Sequence, residues 1–507
     1  MLGNRCKSTL AMLPAATARR LTLTEIPVAP ETGIWPLRSS YNYVMARGGF
    51  QQLFKHVHEL HGSLGPIFRI KFFPFSDEIL SVADPAAVEQ VYRTDGEMPQ
   101  RQLLPFWLLY RDTKQWPLGT ALANDAAEWK RYRTSMGADA LSPRNIASWI
   151  PRIDDVAQDL AARIKQQAAS ANGVVPVTLD IKAYALEVAS SLVFGERMGC
   201  VTADSTTPIT SEAQDYITAV SGFWSTTQQL IMSVPPKAPL FVYPFLQAYK
   251  EHVAHSDFIF EMGLHFMREK MEAKGAKKGP DMLTMFLDNP ELSEREAIAQ
   301  ALDVLFAGVD TTATTLLWTC YCLATAPNGK QIQEKMRNEV VAAMNGKTSI
   351  DDDVLSKLSY VRAVVKETMR LYPTINPNMR YLGEDVNLLG YDLPKGTAIM
   401  MSTYTTSRNP KAFENAESFY PERWLDRSAK SADVRKQAAF STLPFGFGAR
   451  SCVGRRLAET EMFVMLAHLS QTLEIQWPAD APHPGLTLET LLVPDRPLSF
   501  KFEPWTV

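Results

Sequence analysis

Phe445-Gly446-Phe447-Gly448-Ala449-Arg450-Ser451-Cys452-Val453-Gly454 decides the reading of this chain. Glycine permits backbone conformations and close approaches that a side chain would block. A loop of this composition can lie flat against something large and planar. A lone cysteine closes the loop, and a long apolar-periodic segment follows at once. Cys452 therefore sits near the N-terminus of a helix, where unpaired N–H groups and the helix dipole favour a thiolate over a thiol. Such a thiolate is a soft axial ligand of the kind that holds haem iron. Two blander readings stay open: an inert buried cysteine in a helix-start turn, and a phosphate loop. The phosphate reading lacks its Gly-Lys-Ser/Thr ending.

These ten residues resemble the haem-binding loop of the haem-thiolate monooxygenases, the cytochromes P-450, written Phe-x-x-Gly-x-Arg-x-Cys-x-Gly. Phe445, Gly448, Arg450, Cys452 and Gly454 fill all its fixed positions. The resemblance covers roughly residues 35–505. It implies a mainly α chain with small β-sheets (α+β). This is one large helical fold, with haem b held between a long distal helix and the proximal cysteine loop. Cys452 becomes the axial ligand to iron, and Phe445 and Arg450 become cofactor contacts.

Composition agrees with a large body. The chain has 507 residues, is 46% hydrophobic and carries a net charge of -3. That balance argues against general nucleic-acid binding, which favours a basic chain. Five cysteines (Cys6, Cys200, Cys320, Cys322, Cys452) show no disulfide or zinc spacing. Reduced thiols fit an intracellular compartment. Residues 1–24 contain Arg5, Lys7, Arg19 and Arg20 and no acid, which is the pattern of a mitochondrial transit peptide. A basic disordered tail is the plainer alternative. The haem domain is then expected over 25–507. No apolar run is long enough to span a membrane. Microsomal members of the family carry an anchor helix, so the resemblance points to the mitochondrial branch of steroid, sterol and vitamin-D hydroxylases. Such an enzyme lies peripherally on the matrix side of the inner membrane.

Several segments are readable locally. Phe50 to His61 is a short amphipathic helix, and His56, His58 and His61 read as solvated surface residues. Ile67 to Phe73 and Glu78 to Val82 form a hairpin with Pro74 to Asp77 as its turn. Asp84-Pro85 caps a helix. Pro99 to Thr120 reads as a long irregular segment with Leu103, Leu104, Phe106 and Trp107, fitting a substrate-covering loop or core packing equally. Helices are expected over Ala126 to Gly137, Ile150 to Ala168, Ile181 to Phe194 and Ala213 to Met232. The run Leu240 to Leu246 fits a bilayer surface, core or channel wall. Arg268 to Pro280 reads as a solvated linker end.

Ser293 and Glu296 form a capping box at the start of a long helix through Ala307-Gly308-Val309-Asp310-Thr311-Thr312. A glycine and an acid–alcohol pair there are poor helix formers, and such penalties gather at functional sites. Small residues at Ala307 and Gly308 would let a ligand approach the backbone. The plainer reading is a helix bend with Thr311 bonded to a backbone carbonyl. In the family this motif activates oxygen. The resemblance makes Thr311 the hydrogen-bond donor to dioxygen and Asp310 a proton source.

Further matches concern the cofactor's carboxylates and the scaffold. Trp129 and Arg133 match a Trp-x-x-x-Arg clamp, Arg380 a later strand arginine, and Arg450 the cysteine loop. Guanidinium groups suit propionates. Glu367 and Arg370 match a Glu-x-x-Arg pair that, in the family, is buried with a second arginine, here Arg423 of Pro421-Glu422-Arg423-Trp424. These three are structural.

No dinucleotide, flavin or iron–sulfur module is visible, so electrons come from another protein. Arg362, Lys366, Arg455 and Arg456 could form one basic patch for an acidic partner. Scattered solvated charges are the alternative. The resemblance makes the partner an adrenodoxin-like [2Fe–2S] ferredoxin. The reaction is then RH + O2 + 2 e⁻ + 2 H⁺ → ROH + H2O on an apolar lipid, with Trp107, Phe223, Thr374, Ile375, Leu491 and Leu492 as lining positions. An electron-independent isomerase or dehydratase, and a haem-thiolate sensor or carrier, are the competing readings.

Overall fold

The computed structural model describes residues 21–33, 39–73, 76–96, 98–99, 104–123, 125–170, 172–234, 238–272, 281–425 and 431–505. Helices make most of this body, and small sheets lie beside them, as expected of a mainly α chain. The organising element is the central helix Glu294–Thr325. Its start is the capping box read from the sequence: Glu296 N–H donates to Ser293 Oγ, and Ser293 N–H donates to the Glu296 carboxylate at 2.8 Å. At 1.5 Å per residue the helix runs about 48 Å, long enough to cross a whole domain. Leu305, Val309, Ala313 and Leu317 on this helix are all buried in the main core.

Three other helices wrap it. Thr178–Phe194 packs along its middle, Pro143–Ser170 lies outside that, and Arg455–Thr472 follows the cysteine loop. Close approach explains Gly308. A Cβ there would stand 3.4 Å from the Ala189 Cβ of helix Thr178–Phe194. Gly308 thus serves helix packing rather than ligand access, whereas its neighbour Ala307 is exposed.

A four-stranded sheet orders Ile67–Ile70, Ile79–Val82, Ala398–Met401 and Asn378–Tyr381 side by side. The hairpin expectation holds for its first two strands; Pro74 and Phe75 of the expected turn lie outside the described residues. Asp84 caps the next helix by accepting from Ala87 N–H at 2.9 Å. The hairpin Leu486–Glu489 with Leu491–Pro494 turns at Thr490, whose φ is 64.

Four local expectations change. Pro99 to Thr120 is not irregular: Pro105–Thr113 and Gly119–Leu122 are helical, started by Pro105 at the first turn. Leu103 lies outside the described residues. His56 and His61 are buried, not solvated; His61 Nε2 meets Ser81 Oγ at 2.8 Å and its Nδ1 meets the Gly65 carbonyl at 2.9 Å. The expected linker Arg268 to Pro280 is helical through Glu272, and positions 273–280 lie outside the described residues. At the start, Leu21–Thr22 pair with Tyr391 and Asp392, so positions 21–24 of the expected leader join the folded body. Residues 1–20 lie outside the described set.

Candidate active site

The cysteine loop is fixed by its own backbone. Cys452 N–H donates to the Phe445 carbonyl at 2.8 Å, and Ser451 N–H to the Gly448 carbonyl at 3.0 Å. Gly446 and Gly448 take φ of 69 and 76, a region that L side chains disfavour, so both positions call for glycine. Helix Arg455–Thr472 begins three residues beyond Cys452, and the cysteine is exposed.

Trp129 and Arg133 come to this loop from helix Ala126–Thr134. Arg133 reaches Ser451 Oγ at 3.5 Å. Burial pushes its guanidinium below the ordinary arginine value, and the nearby Cys452 sulfur charge pulls it back up. Trp129 Nε1 is buried and has no hydrogen-bond partner among the described residues. A buried indole N–H without an acceptor is costly. A cofactor carboxylate beside Arg133 would satisfy it.

The other two expected clamp arginines are committed to the protein. Arg380 donates to Asp95 at 2.8 Å and to the Met379 carbonyl at 2.9 Å. Arg450 donates to the Ala123 carbonyl at 2.7 Å and the Thr120 and Pro99 carbonyls at 3.3 Å, while its guanidinium stacks 4.4 Å from the Trp129 ring centroid. Arg450 therefore braces Trp129. The donor set fits a dicarboxylate macrocycle through Trp129 and Arg133, with Cys452 as the soft ligand.

The clamp helix is tied to the central helix by one residue. Glu296 accepts two bonds from Arg131, at 2.6 and 2.9 Å, and one from Tyr132 OH at 2.8 Å. The Arg131 bond, chiefly, holds the Glu296 carboxyl down at about 2. The same carboxylate closes the capping box. The sequence marks Glu296 as a cap; its second duty becomes visible only when the two helices meet.

Asp310 and Thr311 point to different neighbours. Thr311 Oγ1 donates to the Ala307 carbonyl at 2.9 Å, the bond of the plainer reading. Asp310 is buried beside Lys182, whose Nζ stands 2.9 Å from Oδ1. Ser221 Oγ donates to Asp310 Oδ2 at 3.1 Å, and Lys182 donates to Ser221 at 2.7 Å. Lys182 and Ser221 were not singled out by sequence. A signal existed: Lys182 and Glu187 are the charged residues in the otherwise uncharged run Ile181 to Phe194.

Glu461 was missed as well. It is fully buried on helix Arg455–Thr472, and burial raises its carboxyl to about 8 while a bond from Thr312 opposes the rise. Its position on the apolar stripe with Leu457, Val464 and His468 is legible by helical spacing.

Aromatic rings cluster beside this stretch of the central helix. Phe223 lies 5.4 Å from Trp107 and 4.7 Å from Phe306, and Trp224 stacks on Phe306 at 5.0 Å. Ile375 is half-buried. Leu491 and Leu492 are packed away, at 1% and 0% exposure, and Thr374 is bonded to Thr315 at 3.2 Å, so these three expected lining positions are core.

The scaffold network forms as expected and gains two members. Glu367, fully buried, accepts from Arg370 at 2.8 and 2.9 Å and from Arg423 at 3.0 Å. Trp424 Nε1 adds a bond at 2.8 Å and Tyr420 N–H another at 3.0 Å. Arg362 and Lys366 are exposed on the same helix, Ser359–Leu371, and Arg455 and Arg456 are exposed at the start of the helix after the cysteine loop.

Comparison with known proteins gives the family. The chain matches the family model described as Cytochrome P450 over residues 33–502. It is 31% identical over 495 residues to the mitochondrial cholesterol side-chain cleavage enzyme of Sus scrofa, covering 95% of this chain and 89% of that protein. The protein of the same name from Oncorhynchus mykiss is 28% identical over 504 residues, covering 97% and 93%. Cytochrome P450 27C1 of Danio rerio is 30% identical over 496 residues, covering 96% and 87%.

Proposed function

The chain belongs to the cytochrome P450 family, the haem-thiolate monooxygenases, and on that premise we propose that it hydroxylates a sterol, steroid or related lipid with electrons from a [2Fe–2S] ferredoxin. The observation that carries the site assignment is the meeting of Trp129 and Arg133 at the Cys452 loop, with the indole N–H lacking a protein acceptor. Haem, held through the Cys452 thiolate, would supply the oxygen-activating and electron-accepting chemistry. Trp129 and Arg133 would hold its carboxylates, and Arg450 keeps the Trp129 ring in place. Phe445 fixes the cysteine backbone through its carbonyl.

Proton supply belongs to the central helix. Thr311 Oγ1 gives up its bond to the Ala307 carbonyl and presents the hydroxyl to the open side of the helix. Asp310 restores the proton, taking it up from the neighbouring Lys182 ammonium, which regains one from solvent, while Ser221 orients the carboxylate. Apolar walls from Trp107, Phe223, Trp224 and Phe306 orient a lipid and exclude water. Such walls discriminate single methylenes poorly, so the lipid class is better supported than any one member.

Location follows the same reading. No helix among the described residues is long and apolar enough to cross a membrane. Leu240, Phe241 and Phe245 are nevertheless 49%, 72% and 81% exposed on one short turn. We assign that turn to peripheral contact with the matrix face of the mitochondrial inner membrane, after removal of a leader ending before Leu21. Replacing Phe241 and Phe245 with Ser should abolish co-flotation with anionic liposomes; unchanged flotation refutes the contact.

The function test is reconstitution. The haem-loaded protein, NADPH, a ferredoxin reductase and a mitochondrial [2Fe–2S] ferredoxin are incubated with a sterol and steroid panel under isotopically labelled O2. The reading predicts a product carrying one labelled oxygen, dependent on ferredoxin. Turnover without ferredoxin, or no product from any lipid that shifts the haem spectrum, contradicts it.

A further inference from the structure

Three of the four expected docking cations rest on aromatic rings. The Arg362 guanidinium lies 4.8 Å from the Phe463 centroid, the Lys366 ammonium 4.0 Å from that of Trp424, and the Arg455 guanidinium 5.6 Å from that of Phe445. Arg362 is further fixed by a 2.7 Å bond to the Leu355 carbonyl, and Arg455 by a 3.0 Å contact with Glu459. Lys366 differs because its platform is itself anchored. The Trp424 indole N–H donates to Glu367 Oε2 at 2.8 Å. Glu367 and Lys366 are neighbours on one helix, but Glu367 is fully buried and Lys366 is exposed. Trp424 touches both.

Free lysine side chains carry much rotamer freedom, and ordering one at an interface is costly. An ammonium already seated over an indole has lost part of that freedom before any partner arrives. Phenylalanine at 424 would supply a ring without the N–H, and the core network would no longer set the ring's position.

We infer that Trp424 is a positioning residue: pinned by Glu367 from below, it holds the Lys366 ammonium in place for an acidic protein partner. This rests on the ferredoxin-docking reading above. It extends the docking surface inward, from two exposed cations to the buried network that braces the scaffold.

The test is a double-mutant cycle on the haem-loaded protein, measuring affinity for a mitochondrial [2Fe–2S] ferredoxin at low ionic strength by surface plasmon resonance. Trp424→Phe should weaken binding about two- to fivefold when Lys366 is present. In the Lys366→Ala background it should change nothing further. Equal weakening in both backgrounds, or none in either, overturns the inference but leaves docking intact. Wild-type affinity in Lys366→Ala alone removes the docking reading and this inference with it. Should Trp424→Phe fail to retain haem, site-specific fluorinated tryptophan at 424 keeps shape and N–H while draining the ring face. Affinity should then fall with added fluorine, and a flat response overturns the inference.

Discussion

Glu296→Gln is the perturbation that reaches furthest from one atom group. The carboxylate caps the central helix and clasps Arg131 of the helix that carries Trp129 and Arg133. Its carboxyl is held at about 2 against an ordinary 4.5. That difference corresponds to a ceiling of about 3 kcal/mol. Arg131 is 30% exposed, so solvent screening brings the expected value to about 2 kcal/mol. The sign follows from proton binding. The unfolded state takes up the proton first, so the contribution is complete above the unfolded value near 4.5 and is lost as pH falls towards 2. Urea unfolding followed by far-UV circular dichroism should show the variant weaker by about 2 kcal/mol at pH 7. At pH 3.5 the gap should narrow by about 1 kcal/mol. Haem loss to an apo-globin acceptor should also quicken, because the clamp helix loses its tie. A gap that is constant with pH, or a variant that keeps haem as tightly as wild type, refutes the coupling.

Other outcomes follow from buried charge. Glu367→Ala leaves two buried guanidiniums without their carboxylate and should cost about 3–5 kcal/mol in the same assay; a loss under about 1 kcal/mol would mean that the network is not a brace. Glu461, raised to about 8, costs the folded state nothing below pH 4.5 and progressively more up to pH 8, so Glu461→Gln should gain on wild type across that window. The gain at pH 9 should reach at least about 1 kcal/mol, one unit's worth, and curves that stay parallel from pH 5 to 9 would show that the carboxyl is not held protonated. Lys182→Met leaves the buried Asp310 with Ser221 alone, so it should destabilise by about 3 kcal/mol and flatten or shift the pH dependence of ferredoxin-supported turnover. An unaltered pH profile would separate Lys182 from the proton supply.

Much of the fold and half of the site were legible in the sequence, for distinguishable reasons. Local rules carried the capping box at Ser293, the Asp84 cap and the cysteine loop, because each is settled within a few residues of chain. The Glu367 network was legible through resemblance, but Trp424's bond to it was not, since an indole N–H finds its acceptor only in three dimensions. Arg450 and Arg380 illustrate the converse. Sequence offered three guanidiniums and an indole for two carboxylates, and the fold had already given two of the guanidiniums to carbonyls and Asp95. Gly308 misled because a small residue serves a ligand and a neighbouring helix equally well, and Ala189 lay more than a hundred residues away in sequence. The histidines of Phe50 to His61 misled for a similar reason. The spacing of His56, His58 and His61 does not place all three on one helical face and so spoke for solvent rather than a metal, but Ser81 and the Gly65 carbonyl satisfy His61 inside.

The central claim is that the Cys452 sulfur ligates haem iron, and its most direct measurement is the carbon-monoxide difference spectrum of the reduced, haem-loaded protein. The account predicts the red-shifted Soret band of a thiolate ligand in the wild type and its loss in Cys452→Ser. A wild-type spectrum without that band, or a Cys452→Ser protein that keeps it, contradicts the account.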